Sequence, residues 1–306
     1  MLIKKLKVRM FRNRYNMKYS LAEKNRVTLE YSKTVNLGDS LSPLIVNAML
    51  ERKGLTPDRA VSRTKHLMAV GSIIGRGRFD VTVWGTGVLR EGIADVIAKQ
   101  RLYRRYDIRA VRGPRTRKML LDAGYDCPER YGDPAILMPQ IYPAADAAAA
   151  GKKYPVSLIL HHRTELCWCD DAPDQAQFRF CAPEQYRDQL HIIDPNTTDY
   201  RDFLDQIVQS ERVISASLHG IILAESYGVP AVFLHFGVQD QEIKFHDWYE
   251  STGRTLRCVK TLPEAMDAAA MPLPDLSGMQ KQIADAFPYD LWDESLPAEP
   301  YRRANS

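Results

Sequence analysis

The segment Val213 to Phe236 reads V-I-S-A-S-L-H-G-I-I-L-A-E-S-Y-G-V-P-A-V-F-L-H-F, and it constrains the fold most. Val213 and Ile214 end in the small polar turn Ser215-Ala216-Ser217. Ile221, Ile222, Ala224, Glu225 and Tyr227 then follow a helical pattern closed by Gly228, and Pro230 opens a second apolar run, Ala231 to Leu234. This is strand, turn, helix, strand, a βαβ unit that belongs in a parallel sheet. It puts His219 at the start of the helix, beyond the carboxyl end of a strand, where open α/β sheets bind ligands. His219 serves there as a helix-start packing residue or as a chemical group, and the segment alone leaves both open.

The same punctuation recurs upstream. Leu67 to Val70 runs into Gly71-Ser72-Ile73-Ile74-Gly75, Val81 to Trp84 into Gly85-Thr86-Gly87, and Ile108 to Val111 into Arg112-Gly113-Pro114. Short apolar strands ending in small polar turns predict a ligand-lined carboxyl edge. A first strand is expected at Val27 to Tyr31. It leads through Asn36-Leu37-Gly38-Asp39 to a helix marked by Leu41, Leu44, Ile45, Ala48 and Met49, with Pro43 in its first turn. Asp39 there is a plain helix cap or a carboxylate held in a cleft. A helix follows from Thr116 to Ala123, and Tyr131-Gly132-Asp133-Pro134 leads to an expected strand, Ala135 to Met138.

Tyr142 to Lys153, Y-P-A-A-D-A-A-A-A-G-K-K, breaks the composition. It divides the chain into a domain of residues 1–143, a linker of 144–153 with some helix in its alanines, and a domain of 154–306. The second part has strands at Val156 to Leu160, ending in His161-His162-Arg163, at Ile192-Ile193, and at Leu256 to Val259. It has helices around Tyr200 to Val208, Lys244 to Tyr249 and Met279 to Phe287, the last packing back across the linker. Asp170 to Gln177 reads as a loop. The expected fold is α/β, two Rossmann-like domains facing a cleft. Arg112, Arg163 and Lys244 are the cations best placed at strand ends for an anionic ligand, with surface ion pairs as the alternative.

Composition excludes several classes. A formal net charge of +4 on 306 residues is too small and diffuse for a nucleic-acid binder. No run is apolar enough to span a membrane. Residues 1–26 carry nine Lys/Arg against one acidic residue, with no apolar core of the kind that directs export. That segment suits a solvated tail or peripheral contact with an anionic membrane face, so the expected location is cytoplasmic, at most peripheral to the inner face. Five cysteines, an odd number, favour reduced thiols. Cys167-Trp168-Cys169 lies near His161, His162 and Cys181 in sequence, but C-x-C is not the usual zinc-ligand spacing, and no metal is expected.

Seven short motifs in order carry a resemblance. They are Asn36-Leu37-Gly38-Asp39 with Pro43, Gly71-Ser72-Ile73, Trp84-Gly85-Thr86-Gly87, Val111-Arg112-Gly113-Pro114-Arg115-Thr116, Gly132-Asp133-Pro134-Ala135, Ser215-Ala216-Ser217-Leu218-His219-Gly220, and Lys244-Phe245 with Tyr249 and Ser251. With them the chain resembles the polysaccharide pyruvyl transferase family, in particular its exopolysaccharide ketal-pyruvyltransferase branch, from about Asn36 to Ser251. The resemblance implies a GT-B-like fold and phosphoenolpyruvate as donor substrate, with no cofactor. The pyruvyl group would pass as a cyclic ketal to a sugar of a glycan or lipid-linked glycan. It implies His219 as general acid and Asp39 as base or orienting group. Arg112, Arg163, Lys244, Ser215, Ser217 and Gly220 fall to the donor side, and Asn36, Gly71, Ser72, Gly85 and Thr86 to the acceptor side or cleft. Ser217 stands where some members of the family carry arginine, so the donor carboxylate must find its cation elsewhere, at Arg112 or Arg163. Two other readings stand beside this one. A GT-B glycosyltransferase using a nucleotide sugar is suggested by His219-Gly220 and Glu225. A non-enzymatic glycan- or membrane-associated binder is suggested by residues 1–26.

Overall fold

The computed structural model describes residues 24–32, 35–169, 178–236 and 241–297. Most of the basic segment 1–26 and the loop expected at Asp170 to Gln177 lie outside these residues. Two parallel sheets organise the chain, as an α/β fold requires. The first has the order β1 (Val27–Glu30), β2 (Lys65–Met68), β3 (Val81–Trp84), β4 (Tyr106–Ala110). The second has the order β11 (Cys258–Val259), β10 (Ala231–Leu234), β9 (Ser210–Ser215), β5 (Tyr154–Ile159), β8 (His191–Ile192). Between β5 and β8 the chain leaves to form a separate parallel pair, β6 (Glu165–Trp168) with β7 (Arg179–Ala182).

The two sheets differ in winding. The first is sequential, with no reversal of strand order among the described residues. In the second, β5 lies between β8 and β9, and the chain then proceeds outward through β10 and β11. That is the flavodoxin-like doubly wound order, and its switch point falls between β5 and β9. The register pairs Ile159 with Ser215 there, and Ala216 N–H donates to Ile159 C=O at 2.9 Å. The turns leaving β5 and β9 therefore diverge from neighbouring strand ends, the place where open α/β sheets form their ligand crevice.

The helix Leu37–Glu51 buries Leu37, Leu41, Ile45, Met49 and Leu50 along one stripe. It begins four residues before the first apolar residue expected at helical spacing, so Pro43 lies inside it rather than in its first turn. One helical hydrogen bond is lost at that position. These residues join Trp84 of the first sheet, Ile159, Val213 and Phe233 of the second, and Ile221 of the helix after β9 in one apolar cluster, so a single core runs through both halves. The helix Ser277–Asp285 returns to the first half as expected. Trp84 Nε1–H donates to Ile283 C=O at 2.8 Å, and Asp290 accepts from Arg109 through both carboxylate oxygens.

One expected strand is absent. Ala135 to Met138 forms a 3-10 turn, Pro134–Leu137, continuing into a short helix, Met138–Ile141. Four consecutive buried apolar residues suit either state. The deciding signal is local: Asp133 caps the turn by accepting from Ala135 N–H at 3.0 Å, and Pro134 presets the first helical φ. The linker alanines do form a helix, Ala145–Ala149.

Candidate active site

The crevice at the β5/β9 switch point is lined from both halves. β9 ends at Ser215, whose hydroxyl donates to Ser217 C=O at 2.9 Å and accepts from Ser217 N–H at 3.0 Å. This closes the turn and starts the helix Leu218–Ser226, with His219 in its first turn. Ser217 sits at the N-cap without using its side chain as a cap, and Gly220 packs against the Ser215 hydroxyl. The first backbone N–H groups of this helix are thus not capped by the Ser217 side chain.

His219 is held between two elements of the first half. An ideal Cβ built on Gly38 would lie 2.2 Å from His219 Nδ1, so the imidazole occupies the space that a side chain at residue 38 would need. On its other side Nε2 stands 3.6 Å from Asp133 Oδ2. Asp133 is fully buried, its Oδ1 is taken by the Ala135 N–H, and neither Oδ2 nor Nε2 has a hydrogen-bond partner. A buried carboxylate oxygen and a buried ring nitrogen thus face each other, with the carboxylate placed to orient the imidazole. The spacing exceeds a direct hydrogen bond, as catalytic contacts often do before substrate arrives. Asp133 was legible only as part of a motif. Its own cue, an Asp-Pro step, reads as turn chemistry rather than as a partner for a histidine 86 positions away.

Asp39 lies one residue past Gly38, in the first turn of its helix, and accepts from Asn36 Nδ2 at 3.1 Å. Its Oδ1 is 3.9 Å from an ideal Cβ on Gly71, so the turn after β2 closes over it. Leu37 N–H donates to Pro195 C=O at 2.9 Å and ties this corner to the second half. Gly85 continues β3, with its N–H donating to Ala110 C=O at 2.9 Å. Thr86 is buried behind Gly71 and donates to its carbonyl at 2.8 Å, which supports that turn from within.

The turn leaving β5 is cationic. The His161 and His162 rings lie 4.2 Å apart between centroids, tilted by 43°, and Arg163 follows, exposed. Burial pushes His161 down to about 3, helped by the charges of Lys244, His162 and Arg163. His162 is lowered by burial first, then by Arg163 and Lys244, while Asp39 opposes the shift. Lys244, buried at the start of the helix Glu242–Ser251, donates to Gln241 Oε1 at 2.9 Å. The mutual influence of Asp39, His161, His162, Arg163 and Lys244 marks one neighbourhood. Two imidazoles are kept neutral there chiefly by burial and further by adjacent cations, and an incoming anion offsets the second of these.

Arg112 belongs elsewhere. Its guanidinium is fully buried, and each nitrogen has a protein acceptor: Nε to Asp247 Oδ2 at 3.1 Å, Nη1 to Ser72 Oγ at 2.6 Å, Nη2 to Val88 C=O at 2.7 Å. Asp247 also accepts from Thr116 N–H and Thr116 Oγ1. Arg115 grips Glu250 through Nε and Nη2. The motif Arg112 to Thr116 is a clasp between the halves, and Ser72 is part of it. Donors committed in this way cannot turn to a substrate without breaking a buried ion pair. Glu225 is equally committed, accepting from Trp248 Nε1 at 2.8 Å and from both terminal nitrogens of Arg254. The feature that suggested a nucleotide-sugar site therefore has a structural role.

A doubly wound parallel sheet with His219 and Arg163 on the turns at its switch point defines an α/β protein with polar groups gathered at its strand ends. The polysaccharide pyruvyl transferase model matches residues 80–235, just over half of the chain. The chain belongs to the polysaccharide pyruvyl transferase family. It is similar to an uncharacterized protein of Acanthamoeba polyphaga mimivirus, 24% identical over 228 residues that cover 73% of each chain. It is also similar to the succinoglycan biosynthesis protein ExoV of Rhizobium meliloti, 28% identical over 196 residues, 60% of this chain and 53% of that protein. A solved structure of a functionally uncharacterized protein from Klebsiella pneumoniae aligns with a TM-score of 0.44 at 13% identity, covering 84% of this chain and 98% of that one. The family match contains Gly85, Arg112, Asp133, Arg163 and His219, whereas Asn36, Asp39, Gly71, Ser72 and Lys244 lie outside it. No described helix is long and apolar enough to cross a membrane.

Proposed function

We propose that this pyruvyl transferase family member moves the pyruvyl group of phosphoenolpyruvate onto two hydroxyls of one sugar, in a glycan or a lipid-linked glycan precursor, as a cyclic ketal. The supporting observation is the position of His219: at the switch point, backed by the buried Asp133 carboxylate, on the strand end next to His161-His162-Arg163. Phosphoenolpyruvate carries a carboxylate and a phosphate on an enol carbon. Arg163, Lys244, His162 and the helix start at Ser217 offer the charges and N–H groups such a donor needs. Arg112 drops out of the donor set because its nitrogens are occupied within the clasp.

The chemistry asks for a proton at the methylene carbon. His219 gives a proton from Nδ1, the ring nitrogen that does not face Asp133, to the methylene carbon, which becomes a methyl group, and the enol carbon becomes cationic. One sugar hydroxyl bonds to that carbon while Asp39 orients it and draws off its proton. The carbon–oxygen bond to phosphate then breaks, and the second hydroxyl closes the ring, its proton returning to His219. The products are one ketal and one inorganic phosphate.

The test is incubation of the protein with phosphoenolpyruvate and a panel of sugar and oligosaccharide acceptors, following phosphate release and the acid-labile adduct by mass spectrometry. Acceptor-dependent phosphate release in wild type, lost in His219→Asn, is the expected result. Absence of release across the panel, with no donor binding by calorimetry, would sink the proposal.

A further inference from the structure

Cys167, Cys169 and Cys181 take no part in the site above. β6 and β7 run in parallel with Cys167 directly opposite Cys181. Cys169 follows two residues after Cys167, so its side chain leaves on the same face, and its N–H donates to Ala182 C=O at 3.0 Å. The three Sγ atoms lie within 4.8 Å of one another, with Cys167 and Cys181 at 2.7 Å. Among the described residues, this is the one group of three His, Cys, Asp or Glu side chains gathered so closely.

We propose that these three thiols, as thiolates, bind one soft or borderline divalent metal ion, zinc being the natural candidate. The sequence argued against a metal because C-x-C lacks the usual ligand spacing. The strand pairing supplies what linear spacing does not, a third sulfur from the neighbouring strand. A tetrahedral site with zinc–sulfur bonds of about 2.3 Å places its sulfurs roughly 3.8 Å apart. Cys169 is already within reach, and the Cys167–Cys181 pair opens by about 1 Å through side-chain rotation to match that geometry. Water completes the fourth position, since all three residues are only half-buried.

Charge and stability both favour an ion here. Three thiolates and a divalent cation leave one net negative charge, and Arg179 on β7 interacts with Cys167 and Cys181 to offset it. The β6–β7 pair joins neither large sheet, and an isolated two-stranded pair is marginal by itself. A metal held by both strands would staple the pair, immediately downstream of His161-His162-Arg163. A disulfide between Cys167 and Cys181 is the competing chemistry. It requires an oxidant and leaves Cys169 without a role.

The experiment takes the full chain, with any affinity tag removed, reduced by a phosphine and titrated with Co²⁺ and then Zn²⁺. The expected result is an intense near-ultraviolet sulfur-to-cobalt charge-transfer band that saturates at a single cobalt per chain and is bleached by zinc. Cys167→Ser and Cys181→Ser should each abolish or strongly weaken the band while keeping the far-ultraviolet circular dichroism of wild type. Cys258→Ser, at an exposed position on β11, should keep it. No charge-transfer band in the reduced wild type would overturn the proposal, as would a band that survives in the Cys167→Ser/Cys181→Ser double variant. This readout does not depend on which reaction the crevice catalyses.

Discussion

His219 Nε2 and Asp133 Oδ2 face each other across 3.6 Å, and neither atom has a hydrogen-bond partner although both are buried. An unpaired buried carboxylate oxygen is costly, so it persists where something else requires it. Asp133→Asn isolates the charge. The amide oxygen can still accept from the Ala135 N–H, which keeps the turn cap, while the negative charge beside the imidazole is gone. The expected outcome is a kcat about 10–100-fold lower with KM within a few-fold, as for other partners that orient a functional histidine. Steady-state kinetics on phosphate release checks this, and a KM change with unaltered kcat would assign Asp133 to binding instead.

Gly38 has no room for a methyl group, because its ideal Cβ would sit 2.2 Å from His219 Nδ1. In Gly38→Ala either the ring swings away from Asp133 or the helix start backs off from its Leu37–Pro195 hydrogen bond. The neighbour is a side chain, so the stability cost should stay at the lower end of about 1–3 kcal/mol for overpacking. Activity should fall far more than thermal unfolding suggests. Equal and small losses in both would show that the imidazole position is unimportant.

Arg112 and Asp247 form a buried ion pair at 3.1 Å with both side chains fully buried. Breaking one partner of such a pair costs about 3–5 kcal/mol. Arg112→Met should therefore lower stability by that order in chemical denaturation, while donor affinity, measured on the folded fraction, stays near wild type. Combining it with Asp247→Leu should recover only part of the loss, since the Thr116 N–H and hydroxyl lose their acceptor. A neighbouring position is stricter still. An ideal Cβ on Gly113 would lie 1.9 Å from Asp247 C=O, a backbone atom that cannot rotate away. Gly113→Ala should thus separate the clasp and destabilise the protein.

His161 is held neutral, pushed down to about 3 from 6.5, with burial as the first cause. The unfolded chain binds a proton there below about pH 6.5 and the folded chain does not until much lower pH. Stability therefore falls as pH drops from about 6.5 toward 3. His161→Gln should flatten the dependence of Tm on pH across that window. His162, also lowered, should behave differently on ligand binding. An anion beside Arg163 and Lys244 offsets the repulsion that adds to burial in lowering His162, so phosphoenolpyruvate binding near pH 6 should take up protons. Calorimetry in buffers of different ionisation enthalpy reads this directly, and proton release would contradict it.

The sequence carried the second half of the fold well because its signals are local. Val213 to Phe236 forms β9, the helix Leu218–Ser226 and β10 as its pattern requires. Residues 135 to 138 read as a strand and form a helical turn instead, because four apolar residues have no resolvable period and the Asp133-Pro134 cap decides the outcome. The pair β6 and β7 was missed because each is only four residues long, and they flank a polar stretch that reads as a loop. His219 and Asp39 were legible as residues at strand and helix ends. Arg112 illustrates the limit. At a strand end an arginine looks like an anion binder, and nothing local announces an acceptor 135 positions away at Asp247.

The central claim is that phosphoenolpyruvate is protonated at its methylene carbon and passed to a sugar through His219. The most direct measurement is the transfer reaction run in deuterium oxide with an accepted sugar, followed by nuclear magnetic resonance and mass analysis of the pyruvylated product. The expected product carries one solvent deuterium in its new methyl group, forms in step with phosphate release, and is absent with His219→Asn. A methyl group without deuterium, or wild-type rates in His219→Asn, would contradict the claim.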